Sequence, residues 1–235
     1  MHKNSPQICS NQQGVHPDLG RILKRYQESD YIAPISERSR QTYEMLLEEI
    51  EHFDMPLILD SGCGNGESTV TLGKMFPEHF VIGIDKSHHR LQSGRRIFPE
   101  LHEQCDNVIA VRAELVDLWR LFADDGVFFD YHFLLYQNPW PKKKHVRRRW
   151  HAHPVFPIML ELSDSLTMRT NWHLYAQEFC SALELVSGVY STIQTVPQHH
   201  PITPFERKFL ASGHTCYEVL AKLPEQADQA LNEGI

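Results

Sequence analysis

The residues of this 235-residue chain best equipped for chemistry form one segment, Asn138-Pro-Trp-Pro-Lys-Lys-Lys-His-Val-Arg-Arg-Arg-Trp150. A side-chain amide and an indole held by two prolines are suited to gripping a flat ring. The basic block that follows, from Lys142 to Arg149, is unusual because the chain carries a formal charge of -7. Local basic patches attract phosphates. The segment therefore predicts a ligand with a flat ring and phosphates. For the basic block alone, a solvated charged surface is the alternative.

A second motif is an apolar strand ending in Asp60, followed by a turn with glycines at 62, 64 and 66. Glycines let the backbone approach a ligand that a Cβ would block. Turns that bind dinucleotides have the spacing G-x-G-x-x-G and face a pyrophosphate. Here the spacing is G-x-G-x-G, and the preceding carboxylate suits a ligand with a positive amino group and a sulfonium, such as S-adenosylmethionine. Asp85 ends the next strand, about twenty residues beyond the turn, where a carboxylate can accept both ribose hydroxyls. Together these features favour S-adenosylmethionine over a nicotinamide cofactor.

The elements that position these motifs follow from the spacing of apolar residues. Helices are predicted at 39–53, 69–75 and 91–103, and strands at 56–60, 80–85, 108–111, 131–136, 166–170, 190–195 and 216–220. Strands alternating with helices predict an α/β fold with a doubly wound, mostly parallel sheet. Residues 1–38 are expected to form an N-terminal arm, and residues 39–235 a single domain.

Composition narrows the class of protein. The chain is 41% hydrophobic, and its sequence contains no apolar run long enough to span a bilayer. Its first residues, Met1-His-Lys-Asn-Ser-Pro, lack the apolar core of a signal peptide, so we do not expect export. Its five cysteines are scattered and form no Cys-x-x-Cys pair, which indicates reduced thiols in a cytoplasmic protein. The histidines lack the paired spacing and third ligand of a zinc site, so no metal is predicted.

With these motifs in this order, the chain resembles the bacterial tRNA (guanine-N7)-methyltransferases from about Leu57 to Leu220. The likeness rests on Asp60–Gly66, Ile84-Asp85, Asn138-Pro-Trp-Pro-Lys142 with its basic run, Thr170-Asn171 with Tyr175, and Thr203-Pro-Phe-Glu206. It implies a class I methyltransferase fold, S-adenosylmethionine as methyl donor, and a guanosine in the variable loop of tRNA as acceptor. Both a monomer and a homodimer are compatible with it.

The resemblance also implies roles for individual residues. The expected cofactor-binding residues are Asp60, Gly62, Gly64, Gly66, Asp85, Glu114 and Asn138, and Asn138 is also the candidate catalytic residue. The expected substrate-binding residues are Lys142, Asn171, Thr203, Phe205 and Glu206. The other cations of the basic block, Lys143, Lys144, Arg147, Arg148 and Arg149, are expected to contact RNA phosphates.

Three carboxylates of the family pattern are replaced. Asn138 and Asn171 stand where the family has aspartates, and Arg112 stands where an acid is expected, with Glu114 as the nearest substitute. Methylation of guanine N7 uses a ring lone pair that carries no proton, so no general base is required. A hydrogen bond to a charged group contributes about 1.5–3 kcal/mol and a neutral one about 1 kcal/mol. Each aspartate-to-asparagine change is therefore expected to cost about tenfold in rate.

The sequence is also compatible with two other functions. Asn138-Pro-Trp140 is similar to the short motif of methyltransferases that act on exocyclic amines, which favours an amine of another nucleobase or a small molecule as acceptor. The replaced carboxylates are also compatible with a catalytically impaired RNA-binding paralogue.

Overall fold

A seven-stranded sheet with the strand order β3-β2-β1-β4-β5-β7-β6 forms the centre of the chain. The structure is a computed structural model that describes residues 5–97, 105–199 and 201–224. Its strands are β1 Leu57–Ser61, β2 Phe80–Asp85, β3 Val108–Arg112, β4 Tyr131–Leu135, β5 Ser165–Thr170, β6 Thr192–Thr195 and β7 Tyr217–Lys222. Strands β1 to β5 pair in parallel, and β7 runs antiparallel to both β5 and β6. The predicted doubly wound, mostly parallel sheet is confirmed, and each predicted strand end lies within two residues of the observed one.

Helices connect the strands. They are α1 Leu19–Gln27, α2 Glu37–Phe53, α3 Glu67–Met75, α4 His88–Ile97, α5 Leu115–Asp124, α6 Phe156–Leu160, α7 His173–Ser187 and α8 Pro204–Ala211, with short 3-10 helices at Lys143–Arg148 and Trp150–Ala152. Helix α4 begins before the predicted start at residue 91, and residues 98–103 of that prediction lie outside the described residues. Helices α1 and α5 to α8 were not predicted.

The strand order creates a crevice beside β1. On one side β1 pairs with β2, and on the other it pairs with β4, so the chain crosses over in opposite directions from this strand. In open α/β sheets, ligands bind at such a point, beyond the carboxyl ends of the strands. The glycine turn after β1 and the Asn138 segment after β4 therefore face the same crevice.

The described part of the predicted N-terminal arm packs on the domain. Leu19, Ile22 and Leu23 of α1 are buried in the same core cluster as Leu59 of β1 and Ile82 of β2. Apolar side chains at helical spacing explain this packing. The domain boundary at residue 38 stays a prediction. Within the described ranges, no helix has the length and apolar character needed to cross a membrane.

Candidate functional site

Two cavities meet at the carboxyl ends of β1, β2 and β4. Their volumes are about 310 Å³ and 280 Å³, and both are lined by Gly62, Asp85, Arg90, Gln137 and Asn138. The first cavity extends to Ser68, Asn171, Thr203, Phe205 and Phe209. The second extends to Lys86, Ser87, Glu114, Trp140, Arg148 and Trp150. Predicted cofactor and substrate residues therefore line one continuous crevice, with Asn138 at its junction.

The glycine turn adopts backbone angles that other residues rarely take. Gly62, Gly64 and Gly66 have φ angles of 80°, 64° and 82°. A Cβ at Gly62 would lie 2.5 Å from Gln137 Nε2, so the close contact between the two loops requires glycine there. Around Gly64, no heavy atom of the described chain lies within 4 Å of an added Cβ. The backbone at Gly64 thus faces open space in the first cavity.

Asp85 lies between the two cavities. Its Oδ2 accepts a hydrogen bond from the Gly64 amide at 3.0 Å, and its Oδ1 accepts one from the Ser87 amide at 2.7 Å. Arg90 Nη1 lies 3.7 Å from Asp85 Oδ2. Each carboxylate oxygen has two lone pairs, so both can accept a further hydroxyl. Sequence analysis did not predict Arg90, although this residue lies in the first turn of the helix that follows Asp85.

Asp60 lies one layer below the first cavity. It is 1% exposed, and its Oδ2 accepts hydrogen bonds from the hydroxyls of Ser68 at 2.6 Å and Thr69 at 2.8 Å. Burial raises the pKa of Asp60 to about 6. Among the described residues, its buried Oδ1 finds no hydrogen-bond partner. Ser68 lines the first cavity and Asp60 does not, so the structure gives Asp60 no direct contact with the cavity.

The loop after β4 has a strained backbone. Tyr136 and Trp140 have φ angles of 54° and 46°, which are uncommon for residues with a side chain and cluster at functional sites. Gln137 Nε2 donates to the Ser61 carbonyl at 2.5 Å, and Gln137 Oε1 accepts from Trp150 Nε1 at 3.1 Å. Gln137 thus ties this loop to the glycine turn. Sequence analysis missed that role, although Gln137 directly precedes Asn138.

Asn138 is exposed, and its Oδ1 accepts a hydrogen bond from the Trp140 amide at 3.3 Å. This hydrogen bond orients the Asn138 amide, and its NH₂ group is a hydrogen-bond donor. Trp140 and Trp150 both line the second cavity. Trp150 also packs edge-on against the buried Trp119, with ring centroids 4.8 Å apart.

Three predicted substrate residues line the first cavity together with Asn138. They are Asn171, Thr203 and Phe205, and the Phe205 side chain is on the surface, with 43% of its area exposed. Asn171 Nδ2 lies 3.1 Å from His214 Nδ1. Thr203 begins α8, and its hydroxyl accepts a hydrogen bond from the Glu206 amide at 2.9 Å. The Thr-x-x-Glu segment therefore forms a helix cap beside the cavity.

Glu206 does not have the position expected of a substrate contact. The residue is fully buried, and both of its carboxylate oxygens lie 3.2 Å from Arg169 Nη1. Arg169 also donates to Glu218 at 2.6 Å. A carboxylate paired in this way has no free face for a base, so the predicted direct contact of Glu206 with substrate is wrong for this structure.

The basic block is largely on the surface. Lys142, Lys143, Lys144, Arg147 and Arg148 are exposed, as the predicted substrate and phosphate contacts require. The Arg148 guanidinium lies over the Trp140 ring at 4.7 Å from its centroid. Arg149 is the exception, because it is fully buried and paired with the buried Glu178. The predicted phosphate contact of Arg149 is therefore wrong.

The remaining predicted residues lie as follows. Glu114 is exposed and lines the second cavity beside Lys86. Arg112, which stands in place of an expected acid, is exposed, and its Nε donates to the Lys86 carbonyl at 3.2 Å. Tyr175 is 2% exposed and lies in the core. Within the described ranges, no group of three or more His, Cys, Asp or Glu side chains could hold a metal ion.

Comparisons with known proteins identify the family and the fold. Residues 54–219 match a protein family described as "Putative methyltransferase". A solved structure described as an antibiotic-related methyltransferase covers 82% of this chain and 97% of its own, with a TM-score of 0.56 and 16% identity. A variant of the 16S rRNA (adenine(1408)-N(1))-methyltransferase from Catenulisporales acidiphilia, solved with its cosubstrate SAM, covers 76% and 91%, with a TM-score of 0.54 and 13% identity. At these identities the likeness shows the class I methyltransferase fold.

Curated relatives have a higher sequence identity to this chain than these two solved structures. The tRNA (guanine-N(7)-)-methyltransferase of Acinetobacter baylyi is 26% identical over 209 residues, which are 85% of this chain and 80% of the relative. The protein of the same name from Alkalilimnicola ehrlichii is 29% identical over 175 residues, 70% of this chain and 71% of its own. Since the match at residues 54–219 spans more than half of the sequence, the chain belongs to the family described as "Putative methyltransferase".

Proposed function

We propose that the protein transfers the methyl group of S-adenosylmethionine to N7 of a guanosine in the variable loop of tRNA. The observation that carries the proposal is the meeting of two cavities at Asn138, next to an exposed basic segment on the same loop. The methyl donor can lie across the junction at Asp85, with its adenosine in the second cavity and its positively charged end in the first, where a base can enter beside Asn171 and Phe205. The names of the curated relatives support the reaction.

The residues of the crevice fit S-adenosylmethionine. Asp85 has free lone pairs for a pair of ribose hydroxyls, and the open space at Gly64 allows a ligand to lie against the backbone. The unpaired buried oxygen of Asp60 favours positive charge in the first cavity. When bound, the cofactor supplies a methyl group on a positively charged sulfur.

The residues of the chain have mainly a positioning role in this reaction. Asn138 and Asn171 can direct amide donors and acceptors at the edge of a base, while Phe205 offers a flat apolar surface. Guanine N7 carries no proton, so the absence of a carboxylate beside it removes no required proton acceptor. Holding the ring lone pair in line with the methyl group supplies most of the rate.

The exposed cations of residues 142–148 are suited to hold the RNA backbone. Phosphate contacts give affinity and register without reading sequence. Because these cations directly follow Trp140 in the chain, an RNA bound to them lies beside the crevice. We also infer a cytoplasmic location, which is supported by five cysteines that are all free thiols.

The proposal is tested by incubating the protein with labelled S-adenosylmethionine and tRNA that lacks modifications. Digestion to nucleosides should give label in 7-methylguanosine. Label on an exocyclic amine would favour the alternative acceptor. If the protein binds both cofactor and tRNA but transfers no label, it is a catalytically impaired paralogue.

A further inference from the structure

Arg149 differs from the exposed cations of the basic segment because it is fully buried. Its Nη1 pairs with a carboxylate oxygen of Glu178 on α7 and also donates to Gln12 Oε1 at 3.1 Å. Both charged side chains are 0% exposed. The guanidinium also lies 4.9 Å from the centre of the Trp172 ring. A charge buried this deeply has a structural partner on every side and no route to a phosphate.

The other edge of the guanidinium grips the backbone of the Asn138 loop. Arg149 Nε and Nη2 donate to the Trp140 carbonyl at 3.3 Å and 3.1 Å. Trp140 is one of the two residues of this loop with a positive φ angle. A forked pair of hydrogen bonds fixes the direction of that carbonyl, and with it the rotation of the peptide between Trp140 and Pro141.

The fixed peptide is connected directly to the site. The Trp140 amide donates to Asn138 Oδ1, and the Trp140 ring lines the second cavity. The carbonyl and the amide of Trp140 belong to successive peptides, which meet at the Trp140 Cα. Because the φ angle of 46° lies in a small allowed region, a peptide held on the carbonyl side also restricts the amide that donates to Asn138. The position of Asn138 therefore depends on a side chain that lies outside the crevice.

Glu178, which pairs with Arg149, is itself held by further hydrogen bonds. Its Oε1 accepts from Gln12 Nε2 at 2.6 Å and from the His16 amide at 2.9 Å, and its Oε2 lies 3.0 Å from His151 Nε2. Helix α7, which carries Glu178, packs against β5 and β7 of the sheet. Helix α7 is thus held by packing on the sheet, and hydrogen bonds continue from Glu178 through Arg149 to the Trp140 carbonyl.

We propose that Arg149 is a positioning residue that, anchored by Glu178, holds the strained Trp140 peptide and thereby aims Asn138 into the crevice. As a role in methyl transfer this rests on the proposed function, but the geometry of the loop can be tested without the reaction. Arg148, its exposed neighbour, is the matched contrast because it can reach RNA.

The sharpest variant is Arg149→Lys. A lysine keeps the positive charge beside Glu178, but it lacks the planar fork that grips the carbonyl from Arg149. We expect kcat to fall about 100-fold, as for a small misplacement of a reacting group. The affinity for tRNA and its dependence on salt should stay as in the unchanged protein. Arg148→Gln should instead weaken tRNA binding and lower the salt slope by about one.

A second variant separates positioning from stability. Arg149→Met combined with Glu178→Gln removes both charges of the buried ion pair, so neither is left unpaired, and the glutamine keeps an acceptor for Gln12 and the His16 amide. We expect its melting temperature to be close to that of the unchanged protein, with kcat still reduced as in Arg149→Lys.

The outcomes decide the proposal in either direction. A lower salt slope for the double variant, which removes the charge of Arg149, would assign Arg149 to phosphate binding. An unchanged kcat in Arg149→Lys or in the double variant would remove its positioning role. If the unchanged protein methylates no tRNA, the affinity for S-adenosylhomocysteine tests the proposal instead. A displaced Trp140 would change the second cavity, which it lines, and so weaken the binding of this ligand. A weakening of about tenfold in Arg149→Lys would support the proposal, and an unchanged affinity would overturn it.

Discussion

Asn138 is the residue at which the site differs most from the pattern the chain resembles. Its amide lies at the junction of the two cavities, and its Oδ1 accepts from the Trp140 amide. An aspartate could accept the same bond, so the loop does not require asparagine. The difference lies in charge, because a carboxylate would stabilise the positive ring that forms on methylation.

We predict that Asn138→Asp raises the single-turnover rate of tRNA methylation by about tenfold, since a charged hydrogen bond exceeds a neutral one by roughly 1–2 kcal/mol. The affinity for tRNA should change little. Asn171→Asp, on the other side of the first cavity, should raise the rate by a similar factor for the same reason. A rate that falls in Asn138→Asp would mean that the amide itself is needed, which favours another acceptor.

Asp60 gives the site a dependence on pH. Burial raises the pKa of this carboxyl to about 6, so it is ionised above that pH and neutral below it. A positively charged ligand in the first cavity is attracted only by the ionised form. The affinity for S-adenosylmethionine should therefore fall by up to about tenfold per pH unit below pH 6.

Calorimetric titration between pH 5 and pH 8 measures this effect. Asp60→Asn keeps an acceptor for Ser68 and Thr69 but carries no charge. It should bind more weakly at pH 8 and lose most of the pH dependence. A variant with the same pH profile as the unchanged protein would show that another group titrates.

At the scale of elements, the loop after β4 combines two tasks. Its first residues, from Tyr136 to Trp140, form the crevice, and its 3-10 helix, Lys143–Arg148, presents cations to solvent. Arg149 then returns to the interior and fixes the start of the loop. One segment thus brings RNA backbone and methyl donor close together.

We predict that Lys144→Gln and Arg147→Gln each weaken tRNA binding and lower the slope of log affinity against log salt by about 0.7 to 0.9. The effect should be similar for tRNAs of different sequence, because phosphate contacts do not read bases. Lys74→Gln, an exposed change at the end of α3, is the control. An unchanged slope in both test variants would show that the segment is only a solvated surface.

At the scale of the whole molecule, the sheet was predictable because parallel strands buried on both faces are short apolar runs between glycines and polar turns. The cofactor crevice was predictable for the same reason, since Asp60, Asp85 and Asn138 each follow or end such a strand. Helix α1 was overlooked although its buried residues have helical spacing, whereas α7 is buried on several sides and so has no clear apolar stripe.

The two wrong assignments have one physical cause. Glu206 and Arg149 lie in motifs rich in charge, and charge in a sequence predicts exposure. Each is buried by a partner that no local pattern indicates, Arg169 for Glu206 and Glu178 for Arg149. Burial of an ion pair is a property of the folded chain, so the sequence could identify the segments but not which of their charges face RNA.

The central claim is methyl transfer to guanine N7 in tRNA. The most direct measurement uses labelled S-adenosylmethionine with two transcripts of one tRNA, the second carrying 7-deazaguanosine at the variable-loop guanosine. We predict label in 7-methylguanosine from the first transcript, and none from the second, because its ring has no N7 lone pair. Equal labelling of both transcripts, or no labelling of the first despite bound cofactor and tRNA, would contradict the assignment.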